Sequence, residues 1–168
     1  GGMKQKLALS CALIHKPSVL ILDEPTTGVD AVSRKEFWDM LLKLKRQGIT
    51  ILVSTPYMDE AGLCDRVALI QTGEIMKIDP PGKILKDYPG TVWAARSERQ
   101  YRLLQSLRDY EDIQDVYPFG DCLHFIPRSE AFDRNALKRF LESRGHKDPE
   151  IEKTEPTIED CFMDLMKA

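Results

Sequence analysis

Polar and apolar positions alternate at helical spacing between Met3 and His15. They predict a helix with Leu7, Ala8, Cys11, Ala12 and Ile14 along one side. Lys16-Pro17 ends it, because proline cannot continue the hydrogen-bond ladder. Val19-Leu20-Ile21-Leu22 is then apolar at every position. That is the pattern of a strand buried on both faces of a parallel sheet, and it stops at Asp23-Glu24-Pro25. Asp30–Gln47 reads as an amphipathic helix with Phe37, Trp38, Leu41, Leu42 and Leu44 on its apolar side and Gly48 as its C-terminal cap. Ile49–Ser54 predicts a second buried strand, Met58–Cys64 a short helix and Arg66–Gln71 a third strand. Thr72-Gly73 turns the chain into a hairpin partner over Glu74–Ile78. Pro80-Pro81-Gly82 marks a further turn before a short helix at Lys83–Asp87. Strands alternating with helices give the rhythm of a parallel α/β sheet.

The rhythm changes after Tyr88-Pro89-Gly90, which predicts a domain boundary and a division into residues 1–88 and 89–168. Beyond it the pattern predicts a strand at Thr91–Ala95, a helix at Glu98–Arg108 and strands at Ile113–Pro118 and Cys122–Ile126. A helix at Arg134–Ser143, a strand at Glu150–Lys153 and a helix at Ile158–Met166 complete the chain. The order β-α-β-β-α-β predicts a small α+β, ferredoxin-like second domain.

Composition narrows the classes. Of 168 residues, 42% are hydrophobic and 30% charged, a globular mixture that argues against disorder, collagen and coiled coil. The formal net charge is −3, which argues against a nucleic-acid partner. The acidity lies in the second segment, because residues 1–88 carry 12 basic and 11 acidic side chains. No apolar run approaches the roughly 18–20 residues of a membrane span, so contact with a membrane is expected to run through a partner. Cys11, Cys64, Cys122 and Cys161 form no CxxC pair and are expected to be small buried hydrophobes.

Asp23 and Glu24 carry the chemistry. A buried strand delivers both carboxylates to its C-terminal edge, where open α/β sheets bind ligands. Neighbours on a strand point to opposite sides, so the two acids can take different tasks. One can hold magnesium through water beside phosphates, and the other can polarise an attacking water. A helix cap beside a solvated acid is the plainer alternative.

Four stretches in one order resemble the ATP-binding cassette (ABC) ATPases. Gly1-Gly2-Met3-Lys4-Gln5-Lys6-Leu7 is similar to the end of the signature motif, and Leu20-Ile21-Leu22-Asp23-Glu24-Pro25 to the Walker B strand. Thr26-Thr27-Gly28-Val29-Asp30 resembles the D-loop, and Ser54–Ala61 through Cys64-Asp65-Arg66 the switch region. Within the family the wording is most like the ATP-binding subunits of drug and antibiotic exporters, which close on a sequence like Pro156–Phe162. The resemblance implies the later half of a P-loop NTPase parallel sheet over residues 1–87. It implies Asp23 as the magnesium ligand through water and Glu24 as the catalytic carboxylate. It implies Gly1 and Gly2 as backbone donors to a γ-phosphate on the opposite subunit, and Asp30 as a contact between two cassettes. Glycines at a helix start suit an anion, since bare N–H groups and the positive dipole end both favour it. Asp30 also reads as the N-cap of its helix.

Three departures from the family pattern stand out. No Gly-x-x-x-x-Gly-Lys-Ser/Thr loop occurs, the signature serine is not among the residues, and Pro56 stands where the family has its switch histidine. His15, His124 and His146 lie elsewhere. Gly1-Gly2-Met3 does not look like a natural start, and the motifs favour a beginning inside a larger domain. The expectation is therefore the C-terminal part of an ABC transporter ATP-binding subunit. Its complete form would hydrolyse ATP with Mg²⁺ as a pair of cassettes on the cytoplasmic face of the membrane and drive a permease. This chain by itself is expected to be inactive, because the phosphate-cradling loop is missing. A binding or regulatory module derived from such a cassette, without hydrolysis, is the alternative.

Overall fold

The computed structural model describes residues 1–167. The chain divides into two compact units, Gly1–Cys64 and the residues from Asp65 onward.

In the first unit, helix α1 (Gly2–Leu13) leads to strand β1 (Val19–Asp23), helix α2 (Ala31–Arg46), strand β2 (Thr50–Ser54) and the single turn α3 (Met58–Ala61). β1 and β2 pair in parallel, with Leu20 opposite Ile51 and Asp23 opposite Ser54. A parallel pair needs a crossover, and α2 supplies it. Asp30 caps α2 by accepting the Ser33 N–H at 2.9 Å, which fills one of the orphan donors of the first turn. At the other end Gly48 has φ +92°, the left-handed conformation that stops a helix at low cost. The core is Leu9 of α1, Leu20 of β1, and Phe37, Trp38 and Leu41 of α2.

Two expectations fail here. The face of α1 carrying Leu7, Ala8, Cys11, Ala12 and Ile14 is exposed, and Leu9 and Leu13 point inward instead. α1 is apolar on several sides, so its spacing alone does not select a face; packing against α2 does. β1 is also not buried on both faces. Leu20 is buried, whereas Val19 and Ile21, together with Leu52 of β2, are exposed. α1 and α2 cover one face of the pair, and alternate residues of a strand point to opposite faces.

The second unit opens with a hairpin, β3 (Val67–Gln71) and β4 (Glu74–Asp79), joined by Thr72 and Gly73, both at positive φ. That is the two-residue turn whose twist matches paired strands. Helix α4 (Pro81–Lys86) follows and packs against the last helix, α7 (Ile158–Leu165). Between them run β5 (Val92–Arg96), α5 (Gln100–Arg108), β6 (Ile113–Phe119), β7 (Cys122–Pro127), α6 (Arg134–Ser143) and β8 (Glu150–Thr154). The four strands form one antiparallel sheet in the order β6-β7-β5-β8. This is the split β-α-β arrangement that the sequence predicts, with each helix crossing over a strand added between its neighbours.

β7 is buried on both faces. Leu123 and Phe125 join Leu103 and Leu107 of α5 and Leu137 and Leu141 of α6 in the larger core. His124 points the other way and lies under α7, where its Nδ1 is 2.7 Å from Asp160 Oδ1. Tyr117 donates to the same oxygen at 2.7 Å, and Thr157 donates its N–H and hydroxyl to Oδ2. Thr157 and Asp160 also form a reciprocal capping box at the start of α7. Burial alone would raise the Asp160 pKa, but the hydrogen bonds from His124, Thr157 and Tyr117 outweigh it and hold the carboxyl below its usual range. Burial and Asp160 together push the Tyr117 phenol above its ordinary value. His146 is a second core histidine, 3.1 Å from the hydroxyls of both Ser97 and Ser106, and burial lowers its pKa. Cys122 and Cys161 are buried as expected, and burial raises the Cys161 thiol to about 11; Cys11 is exposed because its face of α1 is.

Asp160 therefore locks α7 to the sheet. Asp160→Ala should destabilise the chain by about 2–4 kcal/mol, read from its thermal or denaturant unfolding. The folded pKa lies below the unfolded value near 3.8, so the contribution is complete above pH 3.8 and is lost as pH falls through the lowered folded value. The variant should lack that part of the acid transition.

Candidate functional site

The acid pair and the end of β2 form one cluster. β1 ends at Asp23, and Ser54, its partner in the parallel register, donates its hydroxyl to Asp23 Oδ1 at 2.5 Å. The Glu24 N–H points back at Ser54, 2.9 Å from its Oγ and 3.1 Å from its carbonyl oxygen. Both acids are exposed. A pleat does not separate them, contrary to the sequence expectation. Glu24 is already outside the strand at φ +44°, a left-handed conformation that costs a residue with a Cβ roughly 1 kcal/mol or more. The hydrogen bond shared between the two Ser54 oxygens and the turn that follows keep it there. Thr27 donates its hydroxyl to Glu24 Oε2 at 3.1 Å and its N–H to the Glu24 carbonyl at 3.2 Å.

The loop then runs through Gly28, at φ +72°, to Asp30. The Ser33 N–H holds the exposed Asp30 carboxyl below its usual pKa, so it stays ionised while it caps α2. The N-terminus of α1 lies against this same loop. A Cβ on Gly1 would stand 3.6 Å from the Gly28 carbonyl oxygen, and one on Gly2 would overlap Ser33 at 2.5 Å from its Cβ. Gly1, Gly2 and Asp30 thus share one neighbourhood around residues 28–33. Asp23 and Glu24 share another with Ser54 and Thr27.

Thr26, Thr27, Ser54, Thr55 and Glu60 fall within the family-like stretches of the sequence, but sequence reasoning gave their side chains no role, and it did not single out Arg34. Ser54 carried the one usable signal, because it ends its apolar run as Asp23 ends the first. Glu60 gave none: its carboxylate is 2% exposed and bonded to Thr26 and Thr55, contacts that exist only once β1 and β2 pair. Pro56 is exposed in the turn after β2, and Tyr57 packs its ring under the Arg34 guanidinium at 4.6 Å. Among the described residues no group of three His, Cys, Asp or Glu could hold a metal by itself, and no helix is long and apolar enough to cross a membrane.

Known proteins are similar to this chain. The family described as ABC transporter matches residues 1–27. The probable multidrug ABC transporter ATP-binding protein YbhF of Escherichia coli (strain K12) is 36% identical over 168 residues, which is 99% of this chain and 28% of that protein. The Nod factor export ATP-binding protein I of Rhizobium sp. (strain N33) is 30% identical over 98% of this chain and 52% of its own length. The chain therefore spans about a quarter to a half of these relatives. The structure of cbiO1 from Clostridium perfringens, part of the ABC transporter complex cbiONQ, aligns with a TM-score of 0.48 at 32% identity, over 51% of this chain and 35% of that one.

The contact at Gly2 is testable without any ligand. Gly2→Ala should destabilise the first unit by about 1–3 kcal/mol, less up to ~1 kcal/mol of helix propensity gained. Ser33→Gly in the same background should recover part of the loss in thermal melting, because it removes the atoms a new Cβ meets.

Proposed function

We propose that this chain, which is similar to ABC transporter ATP-binding proteins over nearly its whole length, supplies the later part of an ATP-hydrolysing cassette that drives export through a membrane permease. The observation that carries the proposal is the acid pair at the end of β1, tied through Ser54 to the end of β2. Two adjacent carboxylates on a strained turn at the C-terminal edge of parallel strands suit phosphoryl transfer.

Asp23 fits a magnesium ligand. Its carboxylate is exposed, and Oδ1 is oriented by the Ser54 hydroxyl. Magnesium keeps several waters and shares its remaining positions with phosphate oxygens, so one carboxylate is enough. The ion would neutralise charge on the phosphates when bound. Glu24 is the catalytic carboxylate of the proposal: Thr27 holds Oε2, and the carboxylate orients the attacking water and accepts its proton. The backbone N–H groups at Gly1 and Gly2 open α1 and would face the γ-phosphate of a second cassette. Their neighbour Asp30 would sit at the contact between the two cassettes, which would be identical or different chains. The cassette pair would work on the cytoplasmic face of the membrane, held there by the permease. Export is named for the Nod factor relative, and the name of the YbhF relative is that of a multidrug transporter.

Pro56 favours a second reading of the same site. It has neither a side-chain donor nor an N–H, so it cannot replace the histidine that the family places there. The half-site that it borders would be slow, or would bind without turning over, beside a partner cassette that keeps its histidine. The reading without any hydrolysis, as a regulatory module, is its limiting form.

In the complete protein Glu24→Gln should keep ATP binding, accumulate an ATP-bound dimer and slow turnover by about 10²–10⁴-fold. Wild-type turnover in that variant would contradict the assignment and move suspicion to Asp23. Pro56→His should raise turnover, while Tyr57→Phe should change little. A drop with Pro56→His together with loss in Tyr57→Phe would instead make the tyrosine the substitute for the histidine.

A further inference from the structure

We propose that Glu60 is a positioning residue, whose buried carboxylate joins the loop after the acid pair to the turn after β2 so that the two move as one piece. The inference rests on the reading of the acid pair given above and adds a residue which that reading does not use.

Glu60 sits on α3 and is 2% exposed. Its Oε2 accepts from the Thr55 hydroxyl at 2.6 Å and from the Thr26 hydroxyl at 3.1 Å. Its Oε1 has no hydrogen-bond donor among the described residues and faces Arg34 Nε of α2 at 3.7 Å. Arg34 is itself held by Asp59 at 2.9 Å and lies over the Tyr57 ring. One carboxylate therefore gathers the β1–α2 loop, the start of α2, the turn after β2 and α3.

A carboxylate out of water is costly unless its partners are in place. An apolar side chain would fill the same space without that demand. What the carboxylate adds is a geometry with one solution, since both hydroxyls must reach one oxygen while the guanidinium stands beside the other. Both ends of the link lead to the acid pair. Thr26 is fully buried, two residues after Glu24, and its carbonyl accepts the Val29 N–H at 3.1 Å. Thr55 follows Ser54, which holds Asp23 and the Glu24 N–H. The Thr55 hydroxyl also accepts the Tyr57 N–H at 3.1 Å. Ser54 thus ties the two strand ends directly, and Glu60 ties the loops that leave them. A shift of the Pro56–Tyr57 turn moves Thr55, and through Glu60 it moves Thr26 and the Glu24 turn.

The link predicts a loss of catalysis without a matching loss of substrate binding. Thr26→Val has the same shape as threonine and deletes only the hydroxyl that reaches Glu60. In the complete protein it should lower kcat about tenfold or more, as expected when a catalytic group is misplaced. KM for ATP should stay within about twofold. Thr26→Ser should recover most of the rate, because it keeps the donor, and Glu60→Gln should lower kcat with Thr26→Val. The Tyr57 amide, read by hydrogen exchange, should exchange faster in Thr26→Val than in the wild type although residue 57 is untouched.

Wild-type kcat in both Thr26→Val and Glu60→Gln, in a protein where Glu24→Gln abolishes turnover, would overturn the inference and leave the assignment of Glu24 standing. If Glu24→Gln has no effect, the catalytic reading has failed by itself. Amide exchange at Tyr57 then decides the link: faster exchange in Thr26→Val supports it, and unchanged exchange overturns it.

Discussion

Ser54 stands beside Asp23 because β1 and β2 pair in parallel with that register, and the chemistry at the sheet edge depends on it. One hydroxyl reaches the Asp23 carboxylate and also accepts from the Glu24 amide. A slip of one residue would turn Ser54 to the opposite face and put at the position either Val53, which has no hydroxyl, or Thr55, whose hydroxyl is the one that Glu60 takes here. The register is held from one side. Leu20 anchors β1 in a core made by α1 and α2, so the packed face of the pair decides which atoms meet at its end.

The conformation of Glu24 follows from the same constraint. A glutamate at positive φ is uncommon, and its surroundings must over-determine it. Here its amide is tied back to β2 while its carbonyl and carboxylate are tied forward to Thr27. The strain belongs to the residue that the acid-pair chemistry needs exposed at the edge. Farther along the loop the demands are steric. Gly28 takes a second positive φ, and Gly2 lets α1 approach Ser33 more closely than any side chain would.

The second unit shows how burial of polar groups is arranged where no site is proposed. Asp160 collects Tyr117 of β6 and His124 of β7, which fix α7 over the sheet, and Thr157, which caps α7 itself. The contrast with Glu60 is instructive. Both carboxylates are fully enclosed, but those of Asp160 find donors on both oxygens, whereas Glu60 Oε1 has only a guanidinium at 3.7 Å. In Glu60 the two hydroxyls meet on one oxygen, so the arrangement is set by Thr26 and Thr55 while Arg34 stands beside the other oxygen.

Element positions were legible in the sequence because they are local. The period of apolar residues located every helix and strand to within a few positions. Asp30 and Gly48 marked the ends of α2, Thr72-Gly73 the hairpin, and the alternation after Tyr88 the order of the split β-α-β unit. Asp23 and Glu24 were legible as the ends of a run. Which face of α1 turns inward was not, because a helix apolar on several sides is oriented only by its neighbour. The exposure of Val19, Ile21 and Leu52 was not, because a strand's pattern says which residues share a face and not whether that face is covered. The bonds of Ser54 to Asp23 and of Glu60 to Thr26 join residues 31 and 34 apart. No local pattern encodes a contact of that span; the parallel pairing of two strands around a crossover helix creates it.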